Sequence, residues 1–312
     1  MSIGWSLADV PSQVGKRYLI TGANSGIGYY AAVALARRGA VVVMACRDQA
    51  KAEAAMLQLR VDAASEESAA NRAELVLLDL ASLESVQQVA DAQLKSGLRL
   101  DGLINNAGVM RPPERTLTKD GFELQFGVNV LGHFALTCRL LPIVDARIVT
   151  VSSIAHKRGK IHFDDLQWEK SYSPMGAYSQ SKLGDLMFAF ELERKLRAAN
   201  MNPASIAVHP GVAETKLFKV GSGTGMAGVV QGAIRLAIRT LLNNGPQGAL
   251  PLVYAATAVD AHGGRYYGPQ GFQEMRDGDV GPAVVAPAAR DVETQRQLWE
   301  VCAKLTGVDF PA

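Results

Sequence analysis

Lys16-Arg17-Tyr18-Leu19-Ile20-Thr21 runs into Gly22-Ala23-Asn24-Ser25-Gly26-Ile27-Gly28, and that run into the segment Tyr29 to Arg38, closed by Gly39. The first piece reads as a short apolar strand and the last as a helix. Three glycines at Gly-x3-Gly-x-Gly spacing leave the turn between them with almost no side-chain bulk. A strand, a glycine-rich turn and a helix in that order are the context that a dinucleotide site requires. Glycine lets the backbone approach a pyrophosphate, and the free N–H groups of a helix N-terminus attract it. The spacing differs from the commoner G-x-G-x-x-G, so the flanking strand and helix carry the reading.

The rest of the chain repeats the alternation. Val41 to Ala45 is a continuous apolar run, as a strand covered on both faces should be. Gln49 to Arg60 reads as a helix and Glu74 to Leu78 as a third strand. Ser82 to Lys95 reads as a helix capped by Ser82. Gly102 to Asn105, Arg147 to Val151, Ala204 to Val208 and Gly264 to Tyr267 supply further strands. Gly121 to Leu140 and Ala177 to Ala199 are expected as long helices. Alternating βα units imply one parallel sheet covered on both sides. No linker or internal repeat divides the chain. Val61 to Arg72 reads as a solvated loop.

In Tyr178-Ser179-Gln180-Ser181-Lys182, a phenol and an ammonium stand four apart on a helix and share a face. A tyrosine ionises near pH 10, and a cation within a few ångströms favours the phenolate. Such a phenol can serve as a general acid/base. The same spacing also occurs on ordinary solvated helix faces.

Taken together, Thr21-Gly22-x3-Gly26-x-Gly28, Asn105-Asn106-Ala107-Gly108, Ser153, Tyr178-x3-Lys182 and Pro210-Gly211 resemble the short-chain dehydrogenases/reductases over residues 14 to 270. The stretches MACRDQAKAE, NNAGVM, DGFELQFGVNVLGHFALT, IVTVSS and HPGVAETKL are most similar to the retinol-dehydrogenase-like and protochlorophyllide-reductase-like branch. The resemblance implies a single doubly wound, Rossmann-type parallel sheet with helices on both faces, formed by residues 1–312 as one unit. Residues 215–245 would cover the substrate, while 281–312, where the resemblance fades, read as a peripheral segment with a helix at the sheet's rim. It also implies a carbonyl/alcohol oxidoreductase. Tyr178 would be the proton donor and acceptor, Lys182 its partner and a ribose contact, Ser153 the donor to the reacting oxygen, and Asn129 the holder of a water beside the lysine. Ser152 points the other way by the two-residue strand period. The cofactor contacts implied are Gly22, Asn24, Ser25, Gly26, Ile27, Gly28, Arg47, Asp79, Leu80, Asn106, Ala107, Gly108, Tyr178, Lys182, Pro210, Gly211, Val212 and Thr215.

The end of the second strand decides the cofactor. Arg47 is suited to a 2′-phosphate and favours NADP(H), while Asp48 next to it would select NAD(H) if its carboxylate faced the ribose. Asp79 is an expected adenine contact, or a carboxylate stabilised by a helix N-terminus.

Other classes find less support. Lys and Arg number 32 against 30 Asp and Glu, without a basic stripe, so nucleic acid is not an expected partner. Cys46, Cys138 and Cys302 have neither metal nor disulfide spacing, so no metal is expected and a cytoplasmic, reducing location fits. No run of 18 apolar residues suggests an integral membrane segment, and the N-terminus does not read as a signal peptide. A homo-oligomer stays open. His133 and His209 read as structural histidines, and His156-Lys157-Arg158 as a solvated loop. Phe163, Leu166 and Trp168 read as packing for the insert between Ser153 and Tyr178. Leu217 to Leu242, apolar after a glycine-rich lead-in, is a candidate lid for a small hydrophobic carbonyl or alcohol. Two alternatives remain: a dinucleotide-sensing regulator without turnover, and a C=C reductase of the protochlorophyllide-reductase type.

Overall fold

The computed structural model describes residues 4–64, 73–211, 245–275 and 279–311. Among the described residues, eight strands form one sheet in the order β3-β2-β1-β4-β5-β6-β7-β8. They are β1 (Arg17–Thr21), β2 (Val41–Cys46), β3 (Ala73–Leu77), β4 (Leu100–Asn105), β5 (Val144–Val151), β6 (Ala204–Val208), β7 (Tyr266–Pro269) and β8 (Val280–Pro282). The first seven are parallel. In register, Ile20 stands between Met44 and Ile104. The chain winds outward from β1 to β3, then returns to place β4 on the other side of β1. A crevice opens at such a reversal, outside the carboxyl ends of the strands.

Helices cover both faces. One core joins α3 (Leu83–Lys95), α5 (His133–Leu140), α6 (Pro174–Ala198) and α8 (Val292–Thr306) to the sheet. The other lies under α1 (Gly26–Arg37), α2 (Gln49–Asp62) and α7 (Gly245–Thr257). Burial on both sides explains why β2 is apolar throughout, and why β1 and β4 carry consecutive apolar residues at Leu19 and Ile20 and at Leu103 and Ile104 rather than alternating. Ser82 caps α3 by accepting from Ser85 N–H at 3.3 Å, as its sequence position suggests.

Three expectations change. The first is the C-terminal segment, which is not peripheral. β8 pairs antiparallel with β7, with Gly268 opposite Gly281. α8 then buries Leu298, Trp299 and Cys302 against α6 and α5. The Trp299 ring stacks on Phe188 at 5.8 Å and meets Phe134 edge-on at 4.8 Å. Truncating a tryptophan so packed costs about 3–5 kcal/mol. A three-residue strand with a proline gives too little periodic pattern to be seen in sequence.

The second concerns the helix expected from Gly121. Gly121 takes φ +86° in a turn closed on Thr118, and Glu123 caps the helix by accepting from Phe126 N–H at 2.7 Å. The helix therefore starts as α4 (Leu124–Phe126), widens into a π-turn over Gly127–Gly132, and continues as α5. The continuous stretch Leu124–Ile143 is long and apolar enough to cross a membrane, and 89 % of its most apolar window is buried in the protein interior. The third is the loop assigned to Val61–Arg72. α2 carries on through Val61 to Asp62, whose carboxylate accepts from Tyr29 Oη at 2.6 Å, and residues 65–72 lie outside the described residues.

Candidate active site

At the crevice, β1 ends on Thr21 and the chain turns through Gly22 (φ +69°) and Gly26 (φ +58°) into α1. Both glycines hold backbone conformations that a side chain would strain. A Cβ on Gly28 would lie 2.3 Å from Asn106 Nδ2 and 2.8 Å from Gly22 O, so the third glycine lets the turn close onto β4. Gly28 therefore lies beneath the turn and does not line the cleft. Gly22, Asn24, Ser25, Gly26 and Ile27 do line it.

A neutral network fixes the neighbouring strand end. Thr21 Oγ1 accepts from the N–H groups of Asn106 and Ala107, both at 2.9 Å. It also lies 2.9 Å from His133 Nε2. His133 Nδ1 meets the Asn129 carbonyl at 2.9 Å, so Nδ1 carries the proton and Thr21 donates to Nε2. Burial pulls the His133 pKa down to about 4, and the ring stays neutral. Its structural reading holds. Asn129 occupies the π-turn and leaves the helix ladder sideways. Its Nδ2 donates to Val109 O at 3.0 Å and Ser181 Oγ at 2.9 Å, and its Oδ1 accepts from Val109 N–H at 2.8 Å. Asn129 is fully buried and pins the turn after Gly108, standing behind the cleft wall rather than on it.

Arg47, after β2, is exposed and lines the cleft with Asp79 and Leu80. Asp48 turns the other way. Its carboxylate caps α2 by accepting from Lys51 N–H at 3.1 Å and pairs with the Lys51 ammonium. These hydrogen bonds hold Asp48 below the usual carboxylate range. Asp79 accepts from Ala81 N–H at 3.1 Å and faces Lys119 at 3.7 Å.

On the opposite wall, α6 begins at Pro174, capped by Ser173, and carries Tyr178 and Lys182 on the face that meets the cleft. Tyr178 is half-buried and Lys182 buried. The Lys182 ammonium donates to Val151 O at 2.9 Å and to Asp185 Oδ2 at 2.7 Å. Burial alone would pull this ammonium down. Asp185 and Tyr178 more than offset that and hold it above the ordinary lysine value. Burial pushes Asp185 up to about 6 even with Lys182 beside it. Sequence reading missed Asp185, although an acid inside an apolar helical run three residues after a lysine is a visible signal. Ser153, two residues past β5, lies on the cleft, its Oγ accepting from Ala155 N–H at 3.2 Å. Ser152 is buried and donates to Lys182 O at 2.6 Å, which ties β5 to α6.

Ser153, Tyr178 and Lys182 thus share one cleft of about 580 Å³ with the glycine turn, Arg47, Asp79, Leu80, Asn106, Ala107, Gly108, Pro210 and Gly211. Val212, Thr215 and the expected lid Leu217–Leu242 lie outside the described residues. Gly211 takes φ +72°, and its N–H donates to His209 Nδ1 at 3.2 Å, so His209 is structural as expected. Burial pulls His209 down to about 3.

The reading of His156 as part of a solvated loop is overturned. His156 is fully buried, with Nδ1 2.7 Å from Ser153 O and Nε2 accepting from Ala286 N–H at 3.2 Å. It joins the Ser153 turn to the C-terminal segment, which sequence reading had set aside. The insert packs down as expected, with Leu166 buried and Phe163 against the core. Gln180 holds it, donating to Leu166 O and accepting from His162 N–H, both at 3.0 Å. The apolar wall near Tyr178 comes instead from Val109, Met110, Ile154, Ala155 and Met175.

The chain is similar to known proteins along nearly its whole length. Residues 16–222 match the profile of the short chain dehydrogenase family. Human retinol dehydrogenase 13 (Homo sapiens) is 42 % identical, over 98 % of this chain and 88 % of the relative. Mouse polyprenol dehydrogenase (Mus musculus) is 40 % identical, over 96 % and 86 %. The crystal structure of an uncharacterised protein from Mycobacterium paratuberculosis superposes with a TM-score of 0.80 at 40 % identity, covering 99 % of this chain and all of the other. With its parallel sheet, glycine turn and cleft-facing tyrosine and lysine, the chain belongs to the short-chain dehydrogenase/reductase family and is an alcohol/carbonyl oxidoreductase.

Proposed function

We propose that the protein interconverts a carbonyl and an alcohol on a small hydrophobic substrate, with NADP(H) as the preferred hydride carrier and Tyr178 as general acid/base. The convergence of Ser153, Tyr178 and Lys182 with the glycine turn in one cleft carries this reading. The residues present fit a dinucleotide. Gly28 leaves the turn room to close on Asn106, and Gly22, Asn24, Ser25, Gly26 and Ile27 lie along a cleft beside a helix N-terminus. Asn106, Ala107, Gly108, Asp79 and Leu80 would flank the adenosine side, and Pro210 and Gly211 the nicotinamide side. When bound, the nicotinamide supplies or accepts the hydride.

The chain's own residues do the rest. Ser153 Oγ holds the substrate oxygen. In reduction Tyr178 donates its phenolic proton to that oxygen, and in oxidation the phenolate takes the proton back. Lys182 supplies positive charge behind the phenol, and the one N–H left after those given to Val151 and Asp185 is available to a ribose hydroxyl. Asn129 holds Val109 and, through it, the cleft wall. Val109, Met110, Ile154, Ala155 and Met175 exclude water and favour an apolar substrate. The relatives' names, retinol and polyprenol dehydrogenase, agree with a lipophilic alcohol.

Support for NADP(H) over NAD(H) comes from Asp48. Its carboxylate is engaged with Lys51, which leaves Arg47 as the charged side chain that faces the cleft from the end of β2. Three buried, unpaired cysteines agree with a reducing, cytoplasmic location. The test is a screen of lipophilic aldehydes, ketones and alcohols with NADPH/NADP and NADH/NAD. Turnover of apolar carbonyls with NADPH supports the reading. Tight dinucleotide binding with no turnover of any substrate would make the protein a sensor instead.

A further inference from the structure

Lys182 poses a problem that the family reaction does not address. Among the described residues it is the only buried lysine, with side-chain exposure of 7 %. A buried ammonium without a counter-charge gives up its proton, because the charged form loses its hydration. Here it keeps it. Asp185, one turn further along α6 and as deeply buried at 3 %, places a carboxylate oxygen 2.7 Å from the ammonium. Val151 O alone, a neutral acceptor at 2.9 Å, would hold the ammonium in place without balancing its charge.

We propose that Asp185 is the positioning residue that keeps Lys182 protonated in the cleft wall, and through it sets the pH range in which Tyr178 exchanges its proton. The inference rests on the proposed roles of Tyr178 and Lys182. The groups facing the pair come from several elements. Tyr178 is on α6 itself, Tyr266 on β7 is completely buried nearby, Cys302 on α8 stands beside the carboxylate, and His133 on α5 lies within the field of the ammonium. Burial pushes Tyr266 well above the ordinary phenol value and holds the Cys302 thiol protonated. His133 is neutral. None of the three can replace Asp185 as an anion near neutral pH. Asp185 therefore supplies the balancing charge, and the desolvation of Lys182 makes that charge necessary.

Asp185→Asn tests this. The amide keeps the size and an acceptor oxygen for the ammonium, and removes only the charge. In lysine-labelled apoprotein, the Lys182 side-chain resonance is identified by its loss in Lys182→Met and titrated by NMR. In Asp185→Asn its midpoint should fall by at least about one unit, a tenfold weaker hold on the proton. In turnover, Asp185→Asn should lose activity with rising pH earlier than the wild type by a matching interval, and Asp185→Glu should restore part of the range. Superimposable titrations for wild type and Asp185→Asn would overturn the proposal and leave Asp185 a packing residue. An earlier loss of activity in Asp185→Asn with the Lys182 midpoint unmoved would overturn it too, since Asp185 would then act on Tyr178 directly and not through Lys182. The NMR titration needs neither cofactor nor substrate. If wild-type protein turns over no alcohol or carbonyl while the Lys182 midpoint still falls in Asp185→Asn, the proposed function fails and the counter-ion role stands.

Discussion

The two walls of the cleft are held by different physics. The β1–β4 wall is neutral: Thr21, Asn106, His133 and Asn129 exchange hydrogen bonds in which no member carries a formal charge. The α6 wall is built on a buried ion pair, Lys182 with Asp185. A satisfied neutral network fixes geometry without responding to its surroundings, which suits a surface that must receive the same dinucleotide every cycle. A buried charge pair couples geometry to protonation, which suits the wall that moves a proton. The contrast also sets opposite sensitivities. His133 is held below its unfolded value, so its contribution to stability is present above pH 6.5 and lost as pH falls toward 4. Lys182 is held above its ordinary value, so its contribution is present below pH 10.5 and lost on the alkaline side. Asp185 runs the same way as Lys182 in a lower window: burial raises its value, so its contribution is present below pH 3.8 and lost as pH rises through about 6.

Substitutions on each wall can break or sharpen this contrast. The largest effect belongs to the proton-moving wall. Tyr178→Phe should lower turnover by about 10²–10⁴-fold, the usual scale of general acid/base assistance, while dinucleotide affinity stays within a few-fold. Steady-state rates and a fluorescence titration read the two separately, and near-normal turnover would remove Tyr178 from the mechanism.

On the neutral wall the effect should fall on stability. Denaturant unfolding of the wild type should weaken by up to roughly 3 kcal/mol through His133 as pH falls from 6.5 toward 4. His133→Gln should flatten part of that slope, with His209 and His156 contributing the remainder, since burial lowers both. An unchanged slope would mean that His133 already carries its proton in the folded protein.

Arg47→Ala addresses the rim of the neutral wall. It should weaken NADP binding by about 1.5–3 kcal/mol, the scale of a hydrogen bond to a charged group, and leave NAD almost untouched. Calorimetry with both dinucleotides decides it, and equal losses would make Arg47 structural.

The smallest effect is expected at Met175→Ala, on the apolar mouth beside Tyr178. The kcat/KM ratio between bulky and small carbonyls should change by about 1–3 kcal/mol, with cofactor affinity constant. A constant ratio would move substrate selection away from this wall.

Much of this was legible before any coordinates. The glycine turn announces itself because phosphate-binding backbone tolerates almost no side chain, so the residue types at Gly22 and Gly26 are forced. Tyr178 and Lys182 were visible because helical spacing alone places them on one face. The alternation of apolar strands and helices gave the sheet because burial on both faces leaves a continuous run. The rest hid where long-range contacts decide. His156 reads as solvent-exposed beside Lys157 and Arg158, and only β7 and the C-terminal segment bury it. Asp48 and Arg47 are adjacent, and which of them faces the cleft depends on a cap three residues on. The C-terminal helix was undervalued because its amphipathic stripe has meaning only once Phe134 and Phe188 are known to wait for Trp299.

The π-turn at Gly127–Gly132 carries one consequence for how the chain tolerates change. A π-turn is a helix with one residue more than its length requires, so the helix before it and the helix after it are out of phase. Removing a single residue there would restore a regular α-helix and improve its local hydrogen bonding. Everything downstream would rotate by about 100°, the angle each residue occupies in a helix. Asn129 would swing away from Val109, His133 from Thr21, and Phe134 from Trp299. A one-residue shortening that leaves a regular helix would disconnect the site from the core in one step. Length in this stretch is therefore under tighter constraint than residue identity.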